Sequence, residues 1–291
     1  MPFDNLNVNV SGVDDRRGRG FGAPIALGGG GLGIVGVIVV LLINVLGGGS
    51  TSLLSDNTLS QGTGETTAQL SARCNSEGAI DRYDDCYVIK SYNEINEVWA
   101  MQFSGASYQP PRLVFFEQAT STGCGNASSD VGPFYCPADR SVYIDLGFLA
   151  ALQKQFGAQG RYAQTYIVAH EVGHHLQTLT GTEARVRAAQ GRGGDAQALS
   201  IGVELQADCY AGAWSALANQ AGNFSISERE LDQALNAAAA VGDDRIQQKT
   251  EGRVDPESWT HGSSAQRRQA FLTGYQAGSG SACIPLVRLP S

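Results

Sequence analysis

The chain has 291 residues, 42% of them hydrophobic and only 16% charged, with a formal net charge of −8. That length buries one good core and leaves room for an appendage. Its 20 Lys and Arg residues form no basic stripe, which excludes nucleic acid as an expected partner.

Residues 1–24 read as a short polar tail. From Pro24 to Gly49 no residue is charged. A helix of about 20 apolar residues spans a bilayer, so residues 25–46 are expected to form a transmembrane helix. A cleaved signal peptide would have a shorter apolar stretch, about 7–15 residues, and a small-x-small cleavage site. The sequence NVLGGGS at the end of this run is a poor match. Arg16, Arg17 and Arg19 precede the run, and the next basic residue is Arg73. The positive-inside tendency then makes residues 1–24 a cytoplasmic tail and exports the rest. Residues 47–72 read as a Gly/Ser/Thr-rich linker, and residues 73–291 as one extracytoplasmic domain.

The six cysteines include no CxxC pair, which favours disulfides in an oxidising compartment over a zinc ribbon. Short local loops make Cys74–Cys86 and Cys124–Cys136 the economical pairs, leaving Cys209 with Cys283. The alternative for Cys209 is a buried thiol.

Within the domain, Ile89, Tyr92, Ile95, Val98, Trp99 and Phe103 recur at helical spacing. RLVFFE (112–117) follows Pro110-Pro111 and reads as a strand. A Gly/Ser/Cys-rich loop comes next, and SVYIDL (141–146) alternates like a second strand. Helices are expected over about 148–156, 161–178, 199–221, 227–241 and 263–277. Strands followed by helices indicate α+β, a small β-sheet packed on a mostly helical body.

YIVAHEVGHHLQ (166–177) holds three of the four histidines. His170 and His174, four apart, lie one above the other on a helix face. Their ring nitrogens can converge on one Zn2+ ion at about 2.0–2.1 Å. Glu171 is offset from both and can serve as the base for a metal-bound water, the physical sense of H-E-x-x-H. His175 turns away by about 100° and is expected to pack rather than ligate. Catalytic zinc usually takes three protein ligands. Glu204, in VELQADCYAGAW (203–214), is the best third ligand. Asp208, one turn on, is placed to accept the N–H of a ligating imidazole. Glu183 and Asp195 are rivals for the third position in a Gly/Arg/Gln-rich connection that reads as mobile. The small residues Ala211, Gly212 and Ser215 suggest close approach to the histidine helix. His261, in the loop before the last helix, is a candidate for steadying a tetrahedral oxyanion, with Arg267 as a helper or an ion-pair partner. Thr260 or Ser263 can cap that helix.

HEVGHH, ELQADCYAG and THGSSAQR together resemble the bacterial neutral zinc metallopeptidase family of single-pass membrane proteins. They are also similar, more distantly, to the glutamate-zincins. DRRG before the apolar run and GPFYCPADRSVYID extend the likeness over the chain. The resemblance implies a zincin-like fold with His170, His174 and Glu204 on zinc and Glu171 as catalytic base. It also implies a sheet edge that pairs with an extended protein or peptide substrate, for which SVYIDL is the candidate. Glu204 lies 30 residues after His174, further than in thermolysin-like enzymes, so the intervening segment must loop out. The expected function is a membrane-anchored zinc peptidase. The alternative is a catalytically silent envelope protein, for binding or scaffolding, that keeps zinc for stability.

Overall fold

Side-chain caps start four of the helices in the computed structural model, which describes residues 3, 6–18, 65–103, 108–156, 160–222 and 224–290. Thr66, Ser227 and Ser263 each form a capping box with a Gln or Glu three residues on, and Asp195 caps through its carboxylate. The helices are α1 (Thr67–Cys74), α2 (Ala79–Arg82), α3 (Asp84–Gln102), α4 (Leu146–Phe156), α5 (Arg161–Leu179), α6 (Thr182–Gly191), α7 (Ala196–Ala221), α8 (Glu228–Ala240), α9 (Asp243–Thr250) and α10 (Ser264–Ala277). The strands are β1 (Val13–Asp15), β2 (Arg112–Phe115), β3 (Ala119–Thr122), β4 (Gly125–Ser128), β5 (Phe134–Cys136) and β6 (Ser141–Ile144). The expected α+β class is what the chain adopts.

One sheet runs in the order β1-β2-β6-β5, with β1, β2 and β6 parallel and β5 antiparallel at the edge. All four residues of β6 are buried, as expected of a strand covered on both faces. SVYIDL is therefore an interior strand. The edge that faces the helical body is β5, which came from the stretch expected to be a loop. A strand of three residues is too short to show alternation, so its sequence carried no period to read. The hairpin β3–β4 stands beside the sheet, and the Cys124–Cys136 disulfide ties its turn to β5. Cys74–Cys86 and Cys209–Cys283 are the other two disulfides, so all three expected pairs form.

Helix α5 is the centre of the body. Every residue from Tyr162 to Gln177 is buried, so it is covered all round rather than on one stripe. Its contact with α7 is made through Gly173, where an added Cβ would lie 3.0 Å from the Ala207 backbone. Gly212 does a different job from the one expected. It faces the Phe271 carbonyl of α10, and Gly274 of α10 in turn faces the Cys209 carbonyl, so these two glycines bring α7 and α10 together. The connection holding Glu183 and Asp195 is ordered by α6.

Two expectations about the N-terminal region change. Residues 6–18 are not a free tail: β1 joins the sheet, and Val8 and Val10 are buried. The linker end is also structured, because α1 starts at Thr67. The expected transmembrane helix, residues 25–46, lies outside the described residues. Among the described residues no helix is long and apolar enough to cross a membrane.

Arg17 fixes the N-terminal segment electrostatically. Its guanidinium donates to Asp15 and to Asp85, and Asp85 also accepts from Arg73. Burial alone would raise the Asp85 carboxyl, but the Arg73 hydrogen bond and the Arg17 charge hold it below its ordinary 3.8. A depressed carboxylate stabilises the fold above its unfolded pKa and loses that contribution as pH falls. Arg17→Met is therefore expected to cost about 1–3 kcal/mol at neutral pH, the cost of stranding a buried charge while Arg73 still serves Asp85. Urea unfolding at pH 7 and pH 3 checks this, with the difference between variant and parent shrinking at the lower pH.

Candidate metal centre

His170 and His174, one turn apart on α5, present their Nε2 atoms to each other at 3.2 Å. Glu204 of α7 reaches in from the side. One of its oxygens is 3.3 Å from His170 Nε2 and the other is 3.6 Å from His174 Nε2. A tetrahedral ion with bonds of about 2.0–2.1 Å spaces neighbouring ligand atoms by about 3.3–3.4 Å. The His170–His174 and His170–Glu204 separations are of that size, the other Glu204 oxygen faces His174, and all three residues are buried. Gly173 and Ala207 make this possible by letting two helix backbones nearly touch.

Outer hydrogen bonds fix which nitrogen of each ring carries the proton. His170 Nδ1 donates to Asp208 Oδ1 at 2.8 Å. His174 Nδ1 faces Gln177 Oε1 at 2.8 Å, and the Gln177 amide nitrogen donates to the Val203 carbonyl, so the amide oxygen is the acceptor. Both Nδ1 atoms are thus committed as donors, which leaves the two Nε2 atoms facing each other and Glu204. A cation shared between them would satisfy that arrangement. Burial alone would lower His170, but the Asp208 charge and hydrogen bond outweigh it and raise its pKa to about 9. Burial lowers His174 to about 4. Burial would raise Glu204, yet the charge of His174 and the hydrogen bond from His170 hold it well below the carboxylate range.

Asp208 is the hub behind the ligands. Besides His170 it accepts from the Tyr166 hydroxyl and, on both oxygens, from Arg267 at 2.7 and 3.0 Å. Arg267 also donates to the Val241 carbonyl, and both Arg267 and Asp208 are at most 1% exposed. The guanidinium lets a carboxylate stay charged in the interior, where it polarises the imidazole. Asp208→Asn is expected to weaken zinc binding about 10–100-fold, as read by competition with a chromophoric chelator.

Glu171 sits beside the cluster with one oxygen, Oε2, that has no hydrogen-bond partner although it is buried. Burial raises its pKa to about 7, opposed in part by the positive charge on His170 and by the Tyr135 backbone N–H. Tyr135 lies on β5, so the sheet edge passes directly over the helix that carries Glu171. Glu204 Oε2 has His170 Nε2, at 3.3 Å, as its near neighbour and no well-aligned hydrogen bond. The two imidazoles and this carboxylate are a donor set of the kind that could hold a metal ion.

His175 is not a ligand, in line with expectation. Burial lowers it to about 4, and its Nε2 lies 2.7 Å from the Gln109 carbonyl, to which only an N–H can bond. Its Nδ1 then accepts from the Tyr135 hydroxyl at 3.0 Å. The ring therefore ties both β5 and the Gln109 loop to α5.

His261 lies outside the three-residue cluster but is buried and is close enough to act electrostatically on Glu204. Asp243 orients it. One carboxylate oxygen is 2.9 Å from His261 Nδ1, and the other accepts the backbone N–H groups of Thr260, His261 and Gly262. Ser263, not Thr260, caps α10. The rival acids are accounted for elsewhere: Glu183 accepts from Arg187 and Thr178, and Asp195 caps α7. Tyr210 packs edge-on against Trp99, and Tyr275 stacks on Phe271.

Sequence reasoning missed Gln177, Asp243 and Tyr135. Gln177 had a legible signal, since a residue three after His174 shares its face. Asp243, 18 residues before its partner, had none.

Residues 4–285 match the profile of the family described as "Putative neutral zinc metallopeptidase". The chain belongs to that family. Members similar to this metallopeptidase-family chain include "Uncharacterized protein YpfJ" of Escherichia coli K12, 42% identical over 279 residues that cover 94% of this chain and 92% of that protein. Another is "Uncharacterized protein Rv2575" of Mycobacterium tuberculosis H37Rv, 44% identical over 222 residues, 73% of this chain and 74% of that protein. No solved structure matches the chain.

Proposed function

We propose that the chain is a zinc-dependent peptidase that hydrolyses peptide bonds, with His170, His174 and Glu204 as zinc ligands and Glu171 as general base. The observation that carries this reading is the buried, unpartnered Glu171 oxygen beside the three converging ligands. A purely structural site would have four protein ligands and no use for a bare carboxylate. Zinc, when bound, supplies Lewis acidity for the peptide carbonyl and lowers the pKa of a water towards about 7. Glu171, with its pKa near 7, takes a proton at Oε2 and returns it to the leaving nitrogen. Asp208 holds the His170 tautomer and Gln177 that of His174. His261, held in place by Asp243, is the candidate for steadying oxyanion charge.

An extended substrate strand pairs with β5, whose only strand partner among the described residues is β6. Main-chain pairing of that kind recognises unfolded or extended polypeptide rather than a fixed side-chain motif. Placement of the domain outside the cytoplasm belongs to the same proposal and is supported by the three disulfides. Residues 25–46 are apolar enough to enter a bilayer without a full crossing, which leaves both of their flanks on the side of the zinc domain.

The test combines zinc content, a thermal melt and a casein cleavage assay, each with and without chelator. Cleavage that disappears with zinc and returns on adding it supports the peptidase. A chelator-sensitive melt without cleavage favours a silent zinc-binding protein instead.

A further inference from the structure

We infer that residues 3 and 6–18 are a built-in part of the zinc domain, so this segment and the metal centre share one side of any membrane the protein contacts. Specific contacts hold these residues in place. Phe3 packs edge-on between Tyr87 and Phe224, and its backbone bridges to Phe224. Lys90 donates to the Asn7 carbonyl at 3.2 Å. Two side-chain amides then hold the extended backbone as a neighbouring strand would. Asn75 accepts from the Val8 N–H at 2.9 Å and donates to the Val8 carbonyl at 3.0 Å. Asn93 does the same for Asn9, at 2.8 and 2.9 Å.

Beyond this clamp the chain enters the sheet. Leu113 N–H donates to the Gly12 carbonyl, β1 runs in register with β2, and Arg16 N–H donates to the Phe115 carbonyl. Arg17 is then buried between Asp15 and Asp85, with its guanidinium over the Phe115 ring. A greasy tail adhering by chance would bury apolar side chains only. Reciprocal amide pairing and a fully paired buried arginine require this backbone in this register, because each leaves a costly unsatisfied group if the segment is elsewhere.

The consequence is topological. Asp85 accepts from Arg17, before the apolar run, and from Arg73, after it. Both flanks of residues 19–64 therefore meet on one carboxylate. A single crossing by residues 25–46 would put these flanks on opposite faces, and none of the contacts above could form. Of the three arginines before the run, read from sequence as topological charge, Arg16 and Arg17 have another use here as ion-pair partners within the domain. Two of the three residues behind the positive-inside reading are thereby accounted for, and Arg19 lies outside the described residues.

The experiment uses the full chain and needs no peptidase activity. Leu6 and Met101 are exposed, at 51% and 57%, one in the N-terminal segment and one on α3. Leu6→Cys and Met101→Cys are made separately and expressed in a bacterium, where the native cysteines are paired. A membrane-impermeant maleimide is applied to spheroplasts and to lysed cells. The two thiols are expected to label alike, with the same ratio of intact to lysed signal. Labelling of one position in spheroplasts and of the other only after lysis would overturn the inference. A second measurement tests docking itself on purified full chain. Arg17→Glu is expected to lower Tm by about 5 °C or more, given a shift of about 2–4 °C per kcal/mol for a domain of this size. An unchanged Tm would mean the segment is not docked, and would also overturn it.

Discussion

Glu171→Gln is expected to keep zinc at the stoichiometry of the parent while lowering kcat/KM on an unstructured protein by about 10²–10⁴-fold, the range for loss of a general base. The substitution preserves size and one acceptor oxygen, so packing beneath β5 is unchanged. What it removes is the capacity to take a proton. Glutamine has no titratable oxygen to replace Oε2, whose burial raises the parent carboxyl to about 7. Zinc by elemental analysis and initial rates on casein, measured on one preparation, make the test. Equal rates in variant and parent would remove Glu171 from the mechanism. Lost zinc would instead mean that this side chain supports the metal site rather than the chemistry.

Arg267→Met is expected to destabilise the fold by about 3–5 kcal/mol, the cost of stranding one member of a buried ion pair. Both Asp208 oxygens accept from Arg267, and Asp208 is fully buried. Burial would raise the Asp208 carboxyl, but the Arg267 charge and the charge of His170 hold it low. Without the guanidinium, the carboxylate must either take up a proton or remain uncompensated. A protonated Asp208 would stop orienting His170, so zinc affinity should fall together with stability. Urea unfolding and a zinc titration read the two effects. Replacing both partners, Arg267→Met with Asp208→Leu, should recover much of the stability and none of the affinity. That contrast separates the structural cost from the loss of metal orientation.

The pairing of His170 with His174, the neighbouring Glu171 and the choice of Glu204 were all readable in the chain, because helical periodicity alone decides which side chains share a face. The same holds for the capping residues and for disulfides that close short loops. His175 could be set aside by its angle alone. The residues that complete the site were less accessible. Arg267 reaches Asp208 across 59 positions, and Asp243 holds His261 across 18. Nothing local distinguishes these ion pairs from solvated charges.

The largest departures concern backbone pairing. Strand β5 has three residues and β1 has three, too few for an alternating pattern to stand out from a loop. Their strand character comes from β6 and β2, which supply the hydrogen-bond partners. Residues 6–18 are polar enough to read as a tail, and the arginines among them looked like topological charge. Their place in the sheet depends on Asn75, Asn93, Asp85 and the edge of β2, all more than 50 residues away in sequence. The sequence by itself determined the His170–His174 pairing, the long helices after residue 145 and the two cysteine pairs that close short loops, since each rests on spacing within one element or one short loop. Only the tertiary structure decided which strand forms the open edge, what compensates the buried carboxylates, and which side of the molecule holds the N-terminus. Each of those depends on partners brought together by packing, and packing distance is not encoded in local spacing.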